Sequence, residues 1–406
     1  MCHIKIELTS IDSSLESPST GRECAITTDS VSCPAMSQHE AFMRRALELA
    51  LRGGRAVAPN PLVGAVIVHN GQVIGEGYHQ RFGGPHAEVH AIASVQDRSL
   101  LPTSSLYVTL EPCSHHGKTP PCADLVVSSG IKSVVVGCKD PFPKVSGRGI
   151  ARLREAGITV QEGVLQGECS FANRRFITRH SENRPYIILK WAESSDGFIA
   201  PEDRSRKQLS GPEAQTLSHS WRTEEMGILV GRVTALADDP QLTARLVPGT
   251  NPTRFVLDRS LRLPPSLKLF DGSAPTVVLN SRSEGSEGSV KRLLIPEESF
   301  SARAWCQAIA ELGVNSLIVE GGARTLQSFI ERGLWDEARI FECATALGRG
   351  VPAPRVAGIP CLEGAVGRDT LRVLLHESVP QRFGVSADLA LHGLCAMQQS
   401  SRQNAS

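Results

Sequence analysis

The 406-residue sequence has few aromatic residues (5 %) and almost no net charge, +1 with histidine neutral. The second shortage weighs against a protein held to nucleic acid by a dominant positive field. No basic stretch interleaved with aromatic rings takes its place. Apolar runs of roughly 18 residues are missing, so nothing predicts a membrane-spanning helix. The 11 cysteines lack the spacing of a disulfide framework, being odd in number and scattered over a long chain. They fit a reducing, cytoplasmic setting. Residues 1–35 are rich in Ser, Thr and acidic groups. They lack the cationic start and apolar stretch of a secretory signal, and the arginines of a mitochondrial presequence. We expect them to be a dispensable disordered tail, or sequence upstream of a true start at Met36.

What is present is an ordinary globular composition, 41 % hydrophobic and 21 % charged, in a chain long enough for two cores. Phe42, Ala46, Leu49 and Ala50 recur at helical spacing from Gln38 to Arg52. Strands are expected over 62–68 and 73–78, with Asn70-Gly71 as a hairpin turn. Beyond a helix near His86, strands (106–110, 131–137) alternate with helices (122–129, 149–156), which implies a layered α/β domain with a largely parallel sheet. The polar, basic stretch 163–184 is expected to mark a boundary. Past Pro185 the alternation resumes: strands over 186–190, 227–231, 254–258, 276–279, 316–320 and 337–343, helices over 212–224, 302–312 and 324–332, and a loop over 281–289. The expected domains are 36–180 and 181–397, with a loose tail over 398–406.

One constellation carries chemistry. Gly-Pro-His86-Ala-Glu88 is followed by Glu111-Pro112-Cys113 and Pro121-Cys122. One imidazole and two thiolates suit zinc and leave the fourth tetrahedral position for water, whose pKa the metal lowers to about 7. Both Pro-Cys dipeptides read as helix or turn starts, where unpaired backbone N–H groups favour a thiolate. Glu88 can reach that water as the acid–base group, taking its proton and returning it to a leaving ammonia. Buried apolar thiols, a surface histidine or a purely structural zinc site remain the alternatives. His90, His115 and His116 are expected to hydrogen-bond or touch substrate rather than ligate.

Ala58-Pro59-Asn60-Pro61-Leu62-Val63-Gly64, His86-Ala87-Glu88-Val89 and the long run from Thr109 to Cys122 resemble the deaminase half of the bifunctional riboflavin-biosynthesis enzymes. The Ser-His-His-Gly-Lys-Thr-Pro-Pro insert between the two cysteines is peculiar to that family. The second half resembles its reductase partner through residues 190–197, Leu229–Thr234, Ala237–Pro240, Leu242–Arg245 and Val319–Ala323. The resemblance implies an α/β fold with a cytidine-deaminase-like three-layer domain followed by a dihydrofolate-reductase-like domain. It also implies two activities on small phosphoribosyl-pyrimidine substrates, with Zn2+ and NADPH as cofactors. Lys118 with His115 or His116 would meet the substrate's phosphate or sugar. Asn60 is either a donor and acceptor for a heterocycle edge or a turn residue before Pro61. Ala192, Thr234, Asp238 and Gly322 would line the NADPH site, with Glu320-Gly321-Gly322 at a strand-to-helix turn suited to a diphosphate. Arg222, Leu242, Arg245 and Glu320 would meet the reductase substrate; either arginine is a bidentate phosphate donor or an ion pair. Gln208-Leu209 stands where the family commonly has Trp-Ile, and Phe142 where it has Asn. Rival readings are a deaminase with a silent second half and a nucleic-acid-editing module. A homo-oligomer is compatible with the sequence.

Overall fold

The structure is a computed structural model that describes residues 37–114, 120–141 and 146–386. Both expected tails, 1–35 and 398–406, lie outside the described residues. Helix α1 (Gln38–Leu51) begins in a reciprocal capping box: the Ser37 hydroxyl accepts from the Glu40 amide and the Glu40 carboxylate from the Ser37 amide. Strands β1 (Gly64–His69) and β2 (Gln72–Tyr78) form the expected hairpin, with Asn70 and Gly71 both at positive φ. Then come α2 (Ala87–Ser94), β3 (Ser105–Leu110), α3 (Cys122–Ser128), β4 (Ser133–Cys138), α4 (Arg148–Glu155) and β5 (Thr159–Glu162). The sheet order is β2-β1-β3-β4-β5, antiparallel through β3 and parallel from there to β5.

Alternation along the strands builds the layers. Ala65 and Ile67 join α2, α3 and α4 on one face, while Val66 and Val68 meet Met43, Ala46 and Leu49 of α1 on the other. This half is a three-layer domain.

The stretch 163–184, expected only as a polar boundary, instead folds into α5 (Gln166–Ala172) and α6 (Arg174–Glu182). Cys169, Phe171, Arg174, Phe176 and Thr178 are buried there. Its charges are met by a carboxylate and by aromatic rings. The Arg175 guanidinium pairs with Glu225, and that of Arg174 lies 4.6 Å from the Phe171 ring centroid and 5.3 Å from that of Tyr186.

The second half contains β6 (Tyr186–Ser194), β7 (Phe198–Pro201), α7 (Pro212–Glu224), β8 (Gly227–Gly231), α8 (Arg232–Asp238), β9 (Thr253–Leu257) and β10 (Thr276–Asn280). It continues with β11 (Gly285–Glu287), β12 (Val290–Leu294), α9 (Ala302–Glu311), β13 (Ser316–Val319), α10 (Ala323–Ile330) and β14 (Glu337–Cys343). Last come β15 (Gly350–Pro352), β16 (Ile359–Val366), β17 (Asp369–Leu375) and α11 (Ser378–Phe383). The main sheet runs β11-β12-β10-β9-β8-β13-β6-β14-β17-β16, parallel from β12 to β14 and antiparallel at both edges; β7 pairs with β15. Tyr186 and Ile188 pack on one face, Ile187 and Leu189 on the other. The expected 281–289 loop carries the short β11. No helix among the described residues is long and apolar enough to cross a membrane.

Candidate active sites

His86 caps α2, Cys122 opens α3 and Cys113 follows β3, so three chain segments converge at one point. His86 Nδ1 lies 3.2 Å from Cys122 Sγ and 3.6 Å from Cys113 Sγ, and the three donor atoms all lie within 4.8 Å of one another. Tetrahedral zinc with ordinary Zn–S and Zn–N bonds needs donor separations of about 3.5–3.8 Å, so the set fits the metal. The Cys122 amide donates to Cys113 Sγ at 3.3 Å. Hydrogen bonds from Cys122 and His86 hold the Cys113 thiol low, whereas bonding to that sulfur and burial push Cys122 up. His86 is raised by its bond to Cys113. Such a cluster retains protons that a cation would displace. Glu88, in the first turn of α2, is buried, and burial followed by the Cys113 charge raises its carboxyl. His90 does not belong to this group. His115, His116, Lys118 and Phe142 lie outside the described residues.

Two groups that sequence reasoning passed over support the triad. The Glu111 carboxylate accepts from the amides of Asp140, Gly147, Gly149 and Ile150 at 2.9–3.3 Å, tying the end of β3 to the start of α4. A Cβ at Gly149 would stand 1.9 Å from the Pro112 carbonyl oxygen, so only glycine fits beside the residue preceding Cys113. His79 sits edge-on to His86, with ring centroids 5.4 Å apart. Its Nδ1 faces the Pro85 carbonyl at 2.9 Å and must donate, which leaves Nε2 to accept from Asn60 Nδ2 at 3.1 Å. Asn60 is thus linked to the triad through His79.

In the second half the four cofactor candidates Ala192, Thr234, Asp238 and Gly322 line one cavity of about 580 Å³. The four reductase-substrate candidates Arg222, Leu242, Arg245 and Glu320 line an adjoining one of about 360 Å³. Lys190, Lys207, Gln208, Ser210, Thr234, Asp238 and Glu320 border both. Helices α8 and α10 start at Gly231 and Gly322 without side-chain caps, and the Gly322 amide donates to Thr234 Oγ1 at 2.8 Å. A Cβ at Gly322 would stand 2.9 Å from that hydroxyl, which closes the gap between the two helix starts. Two uncapped helix starts with Arg232 and Arg324 on the same cavity suit a dinucleotide's diphosphate.

Arg222 is not a free cation. Its Nε and Nη2 donate to the Glu320 carboxylate at 3.1 and 2.7 Å, and its Nη1 to the Thr243 carbonyl. Burial would raise the Glu320 carboxyl, but Arg222 and Lys190 outweigh it and hold it at about 2. Arg245 makes no ion pair among the described residues and lines the same cavity as Arg206 and Lys207. Burial lowers the Lys190 ammonium, against the pull of Glu320. Leu242 is buried, with its backbone at a φ of 56°. Gln208 bonds the Ser210 hydroxyl at 2.9 Å, and Leu209 joins the hydrophobic core.

Triad and double cavity together define a two-domain enzyme in which a zinc-binding deaminase precedes a reductase. Residues 36–138 match the cytidine and deoxycytidylate deaminase zinc-binding region, and residues 185–363 match the RibD C-terminal domain. The chain is 41 % identical to riboflavin biosynthesis protein RibD of Aquifex aeolicus, over 76 % of this chain and 88 % of the relative. Identity to RibD of Escherichia coli is 38 %, over 77 % and 89 %. Among solved structures, the deaminase/reductase of Thermotoga maritima superposes with a TM-score of 0.76 at 36 % identity, covering 84 % of this chain and 99 % of that one. The chain belongs to the RibD family of bifunctional deaminase–reductases of riboflavin biosynthesis.

Proposed function

We propose that the domain over 36–180 deaminates 2,5-diamino-6-(5-phosphoribosylamino)pyrimidin-4(3H)-one. The domain over 181–397 then reduces the ribosyl group of the product to ribityl with NADPH. The observation that carries this is the pairing in one chain of a zinc-type triad with a buried carboxylate and a cavity built around two uncapped helix starts. His86, Cys113 and Cys122 would hold Zn2+, which supplies an activated water when bound. Glu88 takes that water's proton and hands it to the departing amine as the bond from the ring carbon to its exocyclic amino group breaks and a C–O bond forms at that carbon, releasing ammonia. Its raised carboxyl suits a group that is protonated and deprotonated in one cycle. Asn60, held by His79, orients the ring, and Lys118 meets the phosphate.

In the second half NADPH supplies a hydride for C1′ of the ribosylamino group. Ala192, Thr234, Asp238 and Gly322 seat the dinucleotide. Glu320 and Leu242 shape the substrate side, Arg222 positions Glu320, and Arg245 receives the phosphate. The test is to incubate purified, zinc-loaded protein with the diaminopyrimidinone, with and without NADPH, and to identify products by mass. Ammonia release without NADPH and ribityl product with it are expected. No NADPH binding by the wild-type protein would leave the deaminase alone.

A further inference from the structure

Residues 239–252, between α8 and β9, form no helix or strand, so no ladder of backbone hydrogen bonds fixes their shape. Arg245 is exposed in this segment and lines the smaller reductase cavity. Three side chains hold the backbone on either side of it. Arg222 Nη1 donates to the Thr243 carbonyl at 3.1 Å, Asn251 Oδ1 accepts from the Ala244 amide at 2.9 Å, and His219 Nδ1 accepts from the Leu246 amide at 3.3 Å. Two of those three, His219 and Arg222, stand one turn apart on the same face of α7.

His219 is buried, and its neighbours fix its tautomer. Arg222 Nη1 lies 3.3 Å from Nε2, and the Leu246 amide 3.3 Å from Nδ1. Both neighbours are donors, and a neutral imidazole accepts at one nitrogen only. Arg222 Nη1 already has the Thr243 carbonyl, whereas the Leu246 amide has no other acceptor among the described residues. The proton therefore sits on Nε2, and Nδ1 takes the amide. Burial, then the Arg222 and Arg245 charges, lower this imidazole to about 4, so it remains an acceptor at neutral pH. Water could serve an amide in so exposed a segment; what the ring adds is a fixed position for the residue next to Arg245.

We propose that His219 is a positioning residue: through the Leu246 amide it sets where the Arg245 guanidinium stands, and so the affinity of the reductase site for the phosphate of its substrate. This rests on the function proposed above, in which Arg245 receives that phosphate. A guanidinium on a segment already held in place forfeits less freedom when a phosphate docks. Releasing the segment should therefore weaken binding of the phosphorylated substrate and spare hydride transfer.

The test follows reduction of the deaminated phosphoribosylamino substrate by the full-length, zinc-loaded protein, beside the same compound lacking its phosphate. Asparagine places an amide oxygen near the position of Nδ1, whereas the glutamine amide reaches that of Nε2. His219→Gln should raise KM for the phosphorylated substrate about five- to tenfold, with kcat and NADPH affinity close to wild type. His219→Asn should keep the wild-type KM. The compound without phosphate should not distinguish His219→Gln from wild type, and in an Arg245→Gln background His219→Gln should add nothing. Equal KM rises for both compounds, effects that add to those of Arg245→Gln, an Asn variant as poor as the Gln variant, or loss of NADPH binding by His219→Gln would each overturn the proposal. An unchanged KM in His219→Gln, where Arg245→Gln raises it, sinks the positioning role alone. An unchanged KM in Arg245→Gln sinks the phosphate reading on which that role rests.

Discussion

In the first half the triad and Glu88 stand at or near the end of an element: His86 caps α2, Glu88 lies in its first turn, Cys113 follows β3 and Cys122 opens α3. The second half gathers its groups from β6, α7, α8, the turn after β13 and the loop before β9. A metal demands a few donors at fixed separations, so its residues cluster at rigid ends. A dinucleotide and a sugar phosphate need a long surface, so their contacts are spread and each counts for less. The first site should therefore fail through single residues and the second through broken pairs.

The largest expected effect is on the compact site. Glu88→Gln should lower ammonia release about 10²- to 10⁴-fold, with zinc near one per chain and reduction of supplied deaminated substrate intact. Cys113→Ala or Cys122→Ala should lose the metal as well. Equal zinc loss in all three variants would undo the division of roles.

Next comes the buried Arg222–Glu320 pair. Arg222→Leu should destabilise by about 3–5 kcal/mol, because it strands a buried carboxylate. Denaturant unfolding reads this directly. In the wild type, Glu320 titrates at about 2, below the ordinary carboxyl value of 4.5. Its contribution is thus complete above about pH 4.5 and drains away as the pH falls towards 2. In Arg222→Leu, burial goes unopposed by that guanidinium, so acid sensitivity should move to higher pH. An unchanged profile would mean that the pair does not set this carboxyl.

Gly149→Ala probes the other kind of dependence, a close approach rather than a charge. The added methyl must displace the Pro112 carbonyl, so a loss of about 1–3 kcal/mol is expected. Weaker zinc retention under a chelator should accompany it, because Cys113 is the next residue. Smallest is Ser37→Ala, which removes the α1 cap at about 1 kcal/mol. It should leave NADPH affinity untouched; a change there would show that the halves are less distinct than their sites imply.

The triad was readable because thiols and imidazole bracketed by proline and glycine have few other uses. Helix α7 and strands β8 and β14 were equally plain, being bounded by Pro212, Gly227 and a seven-residue run starting at Glu337. What stayed hidden depends on partners far along the chain. Arg174 and Thr178 look like surface residues until Phe171, Tyr186 and Arg382 close over them. Arg222 read as either a phosphate donor or an ion pair, and the carboxylate it pairs with is 98 residues away. Glu111 passed as part of a motif, and only folding brings four amides to it. The β16–β17 hairpin was not expected, although β17 alternates buried and half-buried positions from Asp369 to Leu375; β16 lacks that alternation.

Helices α5 and α6 carry a thermal consequence. Cys169 lies in the core of the first half, while Phe171, two residues on, lies in the core of the second and meets Phe383 with ring centroids 6.0 Å apart. Residues two apart in one helix, divided between two cores, leave no free joint at which one half could melt while the other holds. Calorimetry should therefore show a single endotherm for the whole molecule. Zinc or dinucleotide bound to one half would raise the temperature at which both are lost.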